Sequence, residues 1–93
     1  MIGPDARPRL APKVRLRFDK ISQRHMLVYP DKGMVLNPSA AAIAELCTGA
    51  HTLAEIVDRL HGAAAGCARE DIERDARAFL DALAERALVR FEE

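Results

Sequence analysis

The stretch LVYPDKGMVLNPSAAAIAELC, residues 27–47, contains two short apolar segments joined by a turn and followed by an alanine-rich segment. The first apolar segment, HMLVYP, predicts a strand that stops at Pro30, because proline donates no backbone hydrogen bond. PDKG predicts a turn in which Gly33 takes a positive φ. GMVLN then predicts another strand, and Asn37 or Ser39 is expected to cap the first helix.

The residues before this stretch extend the pattern. KVRLRFD alternates, with Val14, Leu16 and Phe18 on one face and arginines on the other, which predicts a half-buried strand. Residues 1–12 contain three prolines, and we expect them to form an extended, mobile arm.

The residues after the stretch predict two further helices. Thr52 and Glu55 form a capping box at the start of the second helix, and apolar spacing predicts a third from about Glu70 to about Arg86. LVRF is expected to be an extended tail packed back on the core. The elements predict an α+β, winged-helix-like fold, in which a three-stranded antiparallel sheet is followed by three helices. Residues 13–93 are expected to form one domain.

The charge is zero overall but unevenly distributed. Residues 1–37 hold eight basic and three acidic side chains, a net charge of +5, whereas residues 38–93 hold six basic and eleven acidic ones, a net charge of −5. The positive half would attract an acidic ligand, although two solvated faces would explain the same distribution. With no signal segment, no membrane span and only two cysteines, the chain is expected to be cytoplasmic and not membrane-bound.

The residues that could carry chemistry do not form a known pattern. Cys47, His51, His61 and Cys67 have the spacing C-x3-H-x9-H-x5-C, which matches no paired zinc motif. Neither cysteine has an obvious base with an orienting partner. We therefore expect no metal, no cofactor and no catalytic residue.

DNA binding is the rival interpretation, because many winged helices bind DNA. The predicted third helix holds three arginines against six acidic residues, a net charge of −3, which would repel phosphates. We therefore expect no nucleic-acid partner.

The strand after the PDKG turn suggests a different role. It carries no charge between Gly33 and Asn37, so nothing in it would block an added strand. A bound peptide would pair with such an edge through its backbone. A neighbouring strand or a second copy of the protein, giving a homodimer, would cover the same edge.

The chain resembles the PqqD family, the D proteins of pyrroloquinoline quinone (PQQ) biosynthesis, which are small peptide chaperones and recognition elements for ribosomally made, later modified peptides (RiPPs). The resemblance runs from PRLAPKVRLRFDKISQRHMLVYPDKGMVLN through SAAAIAELCTGAHTLAEIVDRL to DIERDARAFLDALAERALV. Its motifs are VRLR on the first strand, the tyrosine–proline–acid–x–glycine turn, LN before a small-residue helix, and T-x-x-E-I. Thr48, where the family usually has an acidic residue, and Asp31, where it often has glutamate, depart from the pattern.

The resemblance implies a partner pair and a binding site. The family binds the precursor peptide PqqA and presents it to PqqE, a radical S-adenosylmethionine (SAM) enzyme that links a glutamate to a tyrosine in the peptide. Related domains bind a leader peptide as an added strand beside the third helix. The implied peptide-binding residues in this chain are Lys32, Gly33, Met34, Val35 and Leu36 on the strand and Ile72, Arg77 and Leu80 on the helix. The opposite flank of the helix offers Asp75 and Arg86 instead.

Overall fold

The computed structural model describes residues 3–29, 32–63 and 66–92. These residues form five strands and three helices, in the order β1 Arg7–Leu10, β2 Arg15–Asp19, β3 Arg24–Tyr29, β4 Lys32–Leu36, α1 Pro38–Glu45, α2 Leu53–Ala63, α3 Arg69–Glu85 and β5 Val89–Glu92. The predicted α+β fold, with a three-stranded antiparallel sheet and three helices, is confirmed. No helix among the described residues has the length and apolar character needed to cross a membrane.

The three-stranded sheet has the order β2–β3–β4, and both pairings are antiparallel. Leu16, Leu27 and Met34 lie opposite one another. Leu27 belongs to the core cluster and the other two pack against it, so this face of the sheet points toward the helices. Because side chains alternate along a strand, the residues between them point to the other face. The helices α1 and α3 contribute to the same core, and the residues of α3 that do so include Leu80 and Leu83.

Gly33 does not take the predicted turn conformation. It lies within β4 and has no positive φ, while Pro30 and Asp31 lie outside the described residues. A Cβ at position 33 would come within 2.9 Å of the terminal methyl of Met26. The missing side chain therefore makes room for Met26 to lie across β4, which is a packing role and not a turn role.

The helix starts follow the predicted capping chemistry. The Ala40 N–H donates to Asn37 Oδ1 over 2.8 Å, so Asn37 is the N-cap of α1, and Pro38 occupies the first helical position. At α2, the Thr52 N–H donates to Glu55 Oε1 over 2.8 Å, and the Glu55 N–H donates to Thr52 Oγ1 over 3.1 Å. The hydrogen bond that the Thr52 N–H donates to the Glu55 carboxylate holds the pKa of Glu55 below its usual range.

The expectation of a mobile arm over residues 1–12 requires a correction. Residues 7–10 form β1, which pairs antiparallel with β5, so the LVRF tail is extended as predicted but has an unforeseen partner. The other side of β1 bonds the α1–α2 connection, since the Leu10 N–H donates to Cys47 O and the Gly49 N–H donates to Pro8 O. Pro8 is fully buried in this arrangement.

The residues just before β1 cap α2. The Leu53 N–H donates to Ala6 O over 2.8 Å, and the Ala54 N–H donates to Pro4 O over 3.1 Å. The first turn of a helix has N–H groups without intrahelical partners, and these two carbonyls satisfy two of them. Residues 4–10 are therefore part of the folded domain.

The end of α3 forms a Schellman motif. The Leu88 N–H donates to Leu83 O, the Ala87 N–H donates to Ala84 O, and both leucines are buried. The residue that turns the chain is Ala87, whose φ of 59° lies in the left-handed region. A non-glycine residue is strained in this region.

Replacing Ala87 with glycine is expected to stabilise the protein by about 0.5–1 kcal/mol, because glycine adopts this φ without steric cost. The midpoint of urea unfolding should rise at constant m-value. The matched control is Ala84→Gly within α3, which should lower the midpoint because glycine weakens a helix interior. A lower midpoint for Ala87→Gly would contradict the prediction.

Candidate functional site

In the described part of the chain, no strand covers the outer edge of β4. β4 is the last strand of its sheet, and among residues 3–29, 32–63 and 66–92 no other strand pairs with its second side. Lys32, Gly33 and Val35 are exposed, and Val35 keeps 53% of its surface accessible. Such an edge presents backbone donors and acceptors to any extended segment that approaches it.

The register identifies which backbone groups of β4 are available. Along an antiparallel pair, hydrogen-bonded and non-hydrogen-bonded residue pairs alternate. Tyr29 and Lys32 are the pair next to the two-residue connection, and a hairpin of this kind is closed by a hydrogen-bonded pair. Gly33 and Val35, which are one and three residues after Lys32, therefore belong to non-hydrogen-bonded pairs. Gly33 and Val35 direct their N–H and C=O groups away from β3, toward an added strand.

The predicted site residues on the helix differ in how deeply they are buried. Ile72 and Arg77 are half-buried, whereas Leu80 is fully buried. Leu36 of β4 is also buried, at 4% exposure, and both leucines belong to one core cluster. The prediction that Leu36 and Leu80 contact a peptide does not agree with this burial. They lie beneath the predicted site, whose accessible side chains are those of Lys32, Met34, Val35, Ile72 and Arg77.

The position of α3 relative to the sheet is fixed by packing. α1 contacts both β4 and α3, so it joins the two sides of the predicted site. Arg69 joins α3 to α2 through Asp58 at 2.9 Å and also lies 3.9 Å from Glu73. Glu73 in turn lies 3.9 Å from the Arg77 guanidinium, which holds Arg77 along the helix surface.

The opposite flank of α3 is more exposed. Asp75 pairs with its neighbour Arg74 at 3.8 Å, and Arg86 lies at the C-cap. Neither residue is buried. Since Arg77 is the more enclosed of the two candidate cations, the flank of Ile72 and Arg77 offers a more desolvated contact to a ligand.

A cavity of about 620 Å³ lies at the end of the sheet, where α1 begins. Phe18 and His25 contact each other edge to face with their ring centroids 5.0 Å apart, and His25 Nε2 lies 3.5 Å from Glu45 Oε1. Phe18 keeps 48% of its surface exposed, so it is not the core residue that the strand alternation predicted. Phe18 lies on the same sheet face as Leu16, as the alternation predicted, but it lines this cavity beside the start of α1.

The described residues give little support to nucleophilic chemistry. Burial raises the pKa of the Cys47 thiol to about 12, and its Sγ donates to Ile43 O over 3.3 Å. A thiol in this state is protonated at neutral pH and is a poor nucleophile. Cys67 is exposed and lies in the connection between α2 and α3, whereas Cys47 lies just after α1. Within the described part of the chain, no three His, Cys, Asp or Glu side chains come together in a way that could hold a metal ion.

Comparison with known proteins agrees with this architecture. A "PqqA binding protein" of Methylococcus capsulatus is 42% identical over 59 residues, which cover 63% of each chain. The chain therefore spans somewhat less than two thirds of that relative. A "PqqA binding protein" of Rhodopseudomonas palustris strain TIE-1 is 32% identical over 88 residues, covering 95% of this chain and 85% of the relative.

A solved structure is also similar to this chain. It is the solution NMR structure of the PqqD truncation of Methylobacterium extorquens PqqCD, described as a functional and stand-alone RiPP recognition element. The TM-score is 0.80 at 31% identity, covering 96% of this chain and 93% of the other. The family model for "Coenzyme PQQ synthesis protein D (PqqD)" matches residues 24–89, from the start of β3 to the start of β5. The resemblance found in the sequence is thus confirmed, and the chain belongs to the coenzyme PQQ synthesis protein D (PqqD) family.

Proposed function

We propose that the protein is a cytoplasmic peptide chaperone of PQQ biosynthesis, which binds the precursor peptide PqqA and presents it to the radical SAM enzyme PqqE for Glu–Tyr cross-linking. The observation that carries the proposal is the uncovered β4 edge, with Gly33 and Val35 directing backbone groups outward. The relatives named as PqqA binding proteins and the similar RiPP recognition element support it.

The proposed binding mode is the addition of a strand. A peptide beside β4 would gain main-chain hydrogen bonds, which supply affinity, while side-chain contacts supply selectivity. The proposed contacts are the β4 residues 32–35, with backbone bonds at Gly33 and Val35, and the α3 side chains Ile72 and Arg77. The buried Leu36 and Leu80 hold the two sides together.

In this proposal the chain promotes the cross-linking reaction by delivering its substrate, and it supplies no catalytic group. Holding the peptide in an extended register raises its effective concentration at the enzyme and restricts its orientation. The radical chemistry and its cofactors belong to PqqE. The same β4 edge is open to a second copy of the chain, so a homodimer that competes with the peptide stays part of the proposal.

Isothermal titration calorimetry of the protein with synthetic PqqA tests the proposal. We expect saturable binding, whereas duplex DNA at 0.15 M salt should give none, because α3 is acidic and three of its arginines, Arg69, Arg74 and Arg77, lie beside carboxylates. A peptide with the PqqA composition in scrambled order is the control. Equal binding of the two peptides, or specific binding of DNA, would contradict the proposal.

Arg77→Glu is expected to weaken PqqA binding by about 1–2 kcal/mol, roughly five- to thirtyfold in Kd. The half-buried guanidinium would be replaced by a carboxylate that repels an acidic peptide and faces Glu73. Titration calorimetry measures the loss, and thermal unfolding checks the fold. Arg86→Glu, which makes the same charge change on the opposite flank, should have little effect. A larger loss of PqqA affinity for Arg86→Glu than for Arg77→Glu would place the peptide on the other flank of α3.

A further inference from the structure

The three-stranded sheet has a second face that the core does not use. We call it the outer sheet face, and it is formed by the side chains that alternate away from the helices. In the register of the sheet, these residues are Arg15, Arg17 and Asp19 of β2, Arg24, Met26 and Val28 of β3, and Gly33 and Val35 of β4.

The centre of the outer sheet face is apolar. Met26, Val28 and Val35 are neighbours across β3 and β4, and the Met26 methyl group lies over Gly33. Val35 is 53% exposed although the chain has few large apolar side chains at its surface. An antiparallel sheet with one solvated face normally carries polar residues there. Here the exposed Val35 lies beside the half-buried Met26 and Val28, and contiguous apolar side chains at a surface are typical of one that another molecule covers.

The margin of the outer sheet face is positively charged. Arg15, Arg17 and Arg24 are exposed, and none of them makes an ion pair with any residue that the structure describes. The one acidic member, Asp19, accepts hydrogen bonds from the Ile21 N–H over 3.0 Å and from the Ser22 hydroxyl over 2.9 Å. Its carboxylate is therefore committed to the β2–β3 turn, and the three arginines have no ion-pair partner among the described residues.

We infer that the outer sheet face is a docking surface for an acidic protein surface, in which carboxylates surround an apolar patch. The charge of the margin selects carboxylates, and the apolar centre favours a protein over a nucleic acid, since this face offers no aromatic side chain for base stacking. The inference rests on the proposed function, because the partner that needs such a surface is the enzyme receiving the peptide.

The geometry of strand addition connects this surface to the peptide. A strand added to β4 extends the sheet, so every second peptide side chain projects onto the outer sheet face next to Val35. An enzyme that covers this face therefore touches both the chaperone and the peptide. Peptide and enzyme should each raise the other's affinity, because such coupling is reciprocal.

The double variant Arg15→Glu/Arg17→Glu tests the inference with purified PqqE and synthetic PqqA as probes. We expect PqqE binding to weaken at least about tenfold at 0.15 M salt, because two attractions become repulsions. Binding of PqqA should change less than about threefold, because β2 lies about 10 Å from β4, a distance comparable to the screening length. Arg59→Glu/Arg90→Glu makes the same charge change on α2 and β5 and should bind PqqE normally.

The other possible outcomes of this experiment distinguish failure of the docking surface from failure of the peptide site. Equal loss of PqqE binding in the two double variants, or no loss in either, overturns the docking surface. If the wild-type protein binds PqqA but not PqqE, peptide binding stands and the docking surface fails. If PqqE binds through Arg15 and Arg17 while PqqA does not bind, the docking surface stands and the peptide site fails. If the wild-type protein is a homodimer and the Arg15→Glu/Arg17→Glu variant is a monomer, the outer sheet face binds a second copy of the chain instead.

Discussion

Val35→Pro is expected to abolish PqqA binding while the domain stays folded. The Val35 N–H points away from β3, so proline removes a bond to the added strand and not one within the sheet. The unpaired carbonyl of the peptide and the bulk of the ring should together cost about 2–3 kcal/mol or more, roughly a hundredfold in Kd. Titration calorimetry should show no saturable heat at concentrations that saturate the wild-type protein.

Two neighbouring variants separate backbone from side-chain effects in this experiment. Val35→Ala keeps the N–H and should bind PqqA with only a small loss. Met34→Pro places the ring where the N–H bonds β3, so it should unfold the sheet, which circular dichroism would show. A folded Val35→Pro protein that binds PqqA normally would exclude strand addition at β4.

Leu80→Ala is expected to destabilise the protein by about 2–5 kcal/mol, because Leu80 is fully buried among core residues of α3, α1 and the sheet. Since domains of this size are stable by only about 5–15 kcal/mol, the loss is a large fraction of the total. The midpoint of urea unfolding measures it. Glu85→Ala, at an exposed position of the same helix, should change stability by less than about 0.5 kcal/mol.

The same variant tests the correction to the predicted site. Under conditions in which Leu80→Ala is fully folded, it should bind PqqA almost as well as the wild-type protein, because the leucine offers no surface. A large loss of peptide affinity in the folded variant would instead restore Leu80 as a contact residue. A loss of stability below about 1 kcal/mol would contradict its place in the core.

Local chemistry explains why much of the fold could be predicted. Asn37 and the Thr52–Glu55 pair cap helices through bonds that span only three residues, so their signals lie within a few letters of sequence. The β3–β4 hairpin is similarly local, because two residues separate Tyr29 from Lys32. The candidate strand edge followed from the absence of charge between Gly33 and Asn37.

The errors concern partners that are distant in the chain. Residues 7–10 contain a proline and little alternation, and their partner strand lies more than 75 residues later, so no local signal reveals the pairing. Leu80 and Ile72 share one apolar stripe of α3, but only packing against the sheet decides that Leu80 is covered while Ile72 stays at the margin. The outer sheet face was likewise hidden, because it combines residues from three strands.

The pairing of β1 with β5 brings the two ends of the described chain together. Arg7 lies directly opposite Glu92 in an antiparallel ladder, and directly opposed residues in such a ladder are about 5 Å apart. The start of β1 and the end of β5 therefore lie side by side. Close termini are what allow a domain to be inserted into a loop of another protein or to be circularly permuted. An attachment at this point would therefore join a host protein to the β1–β5 pair and not to the sheet that carries the β4 edge.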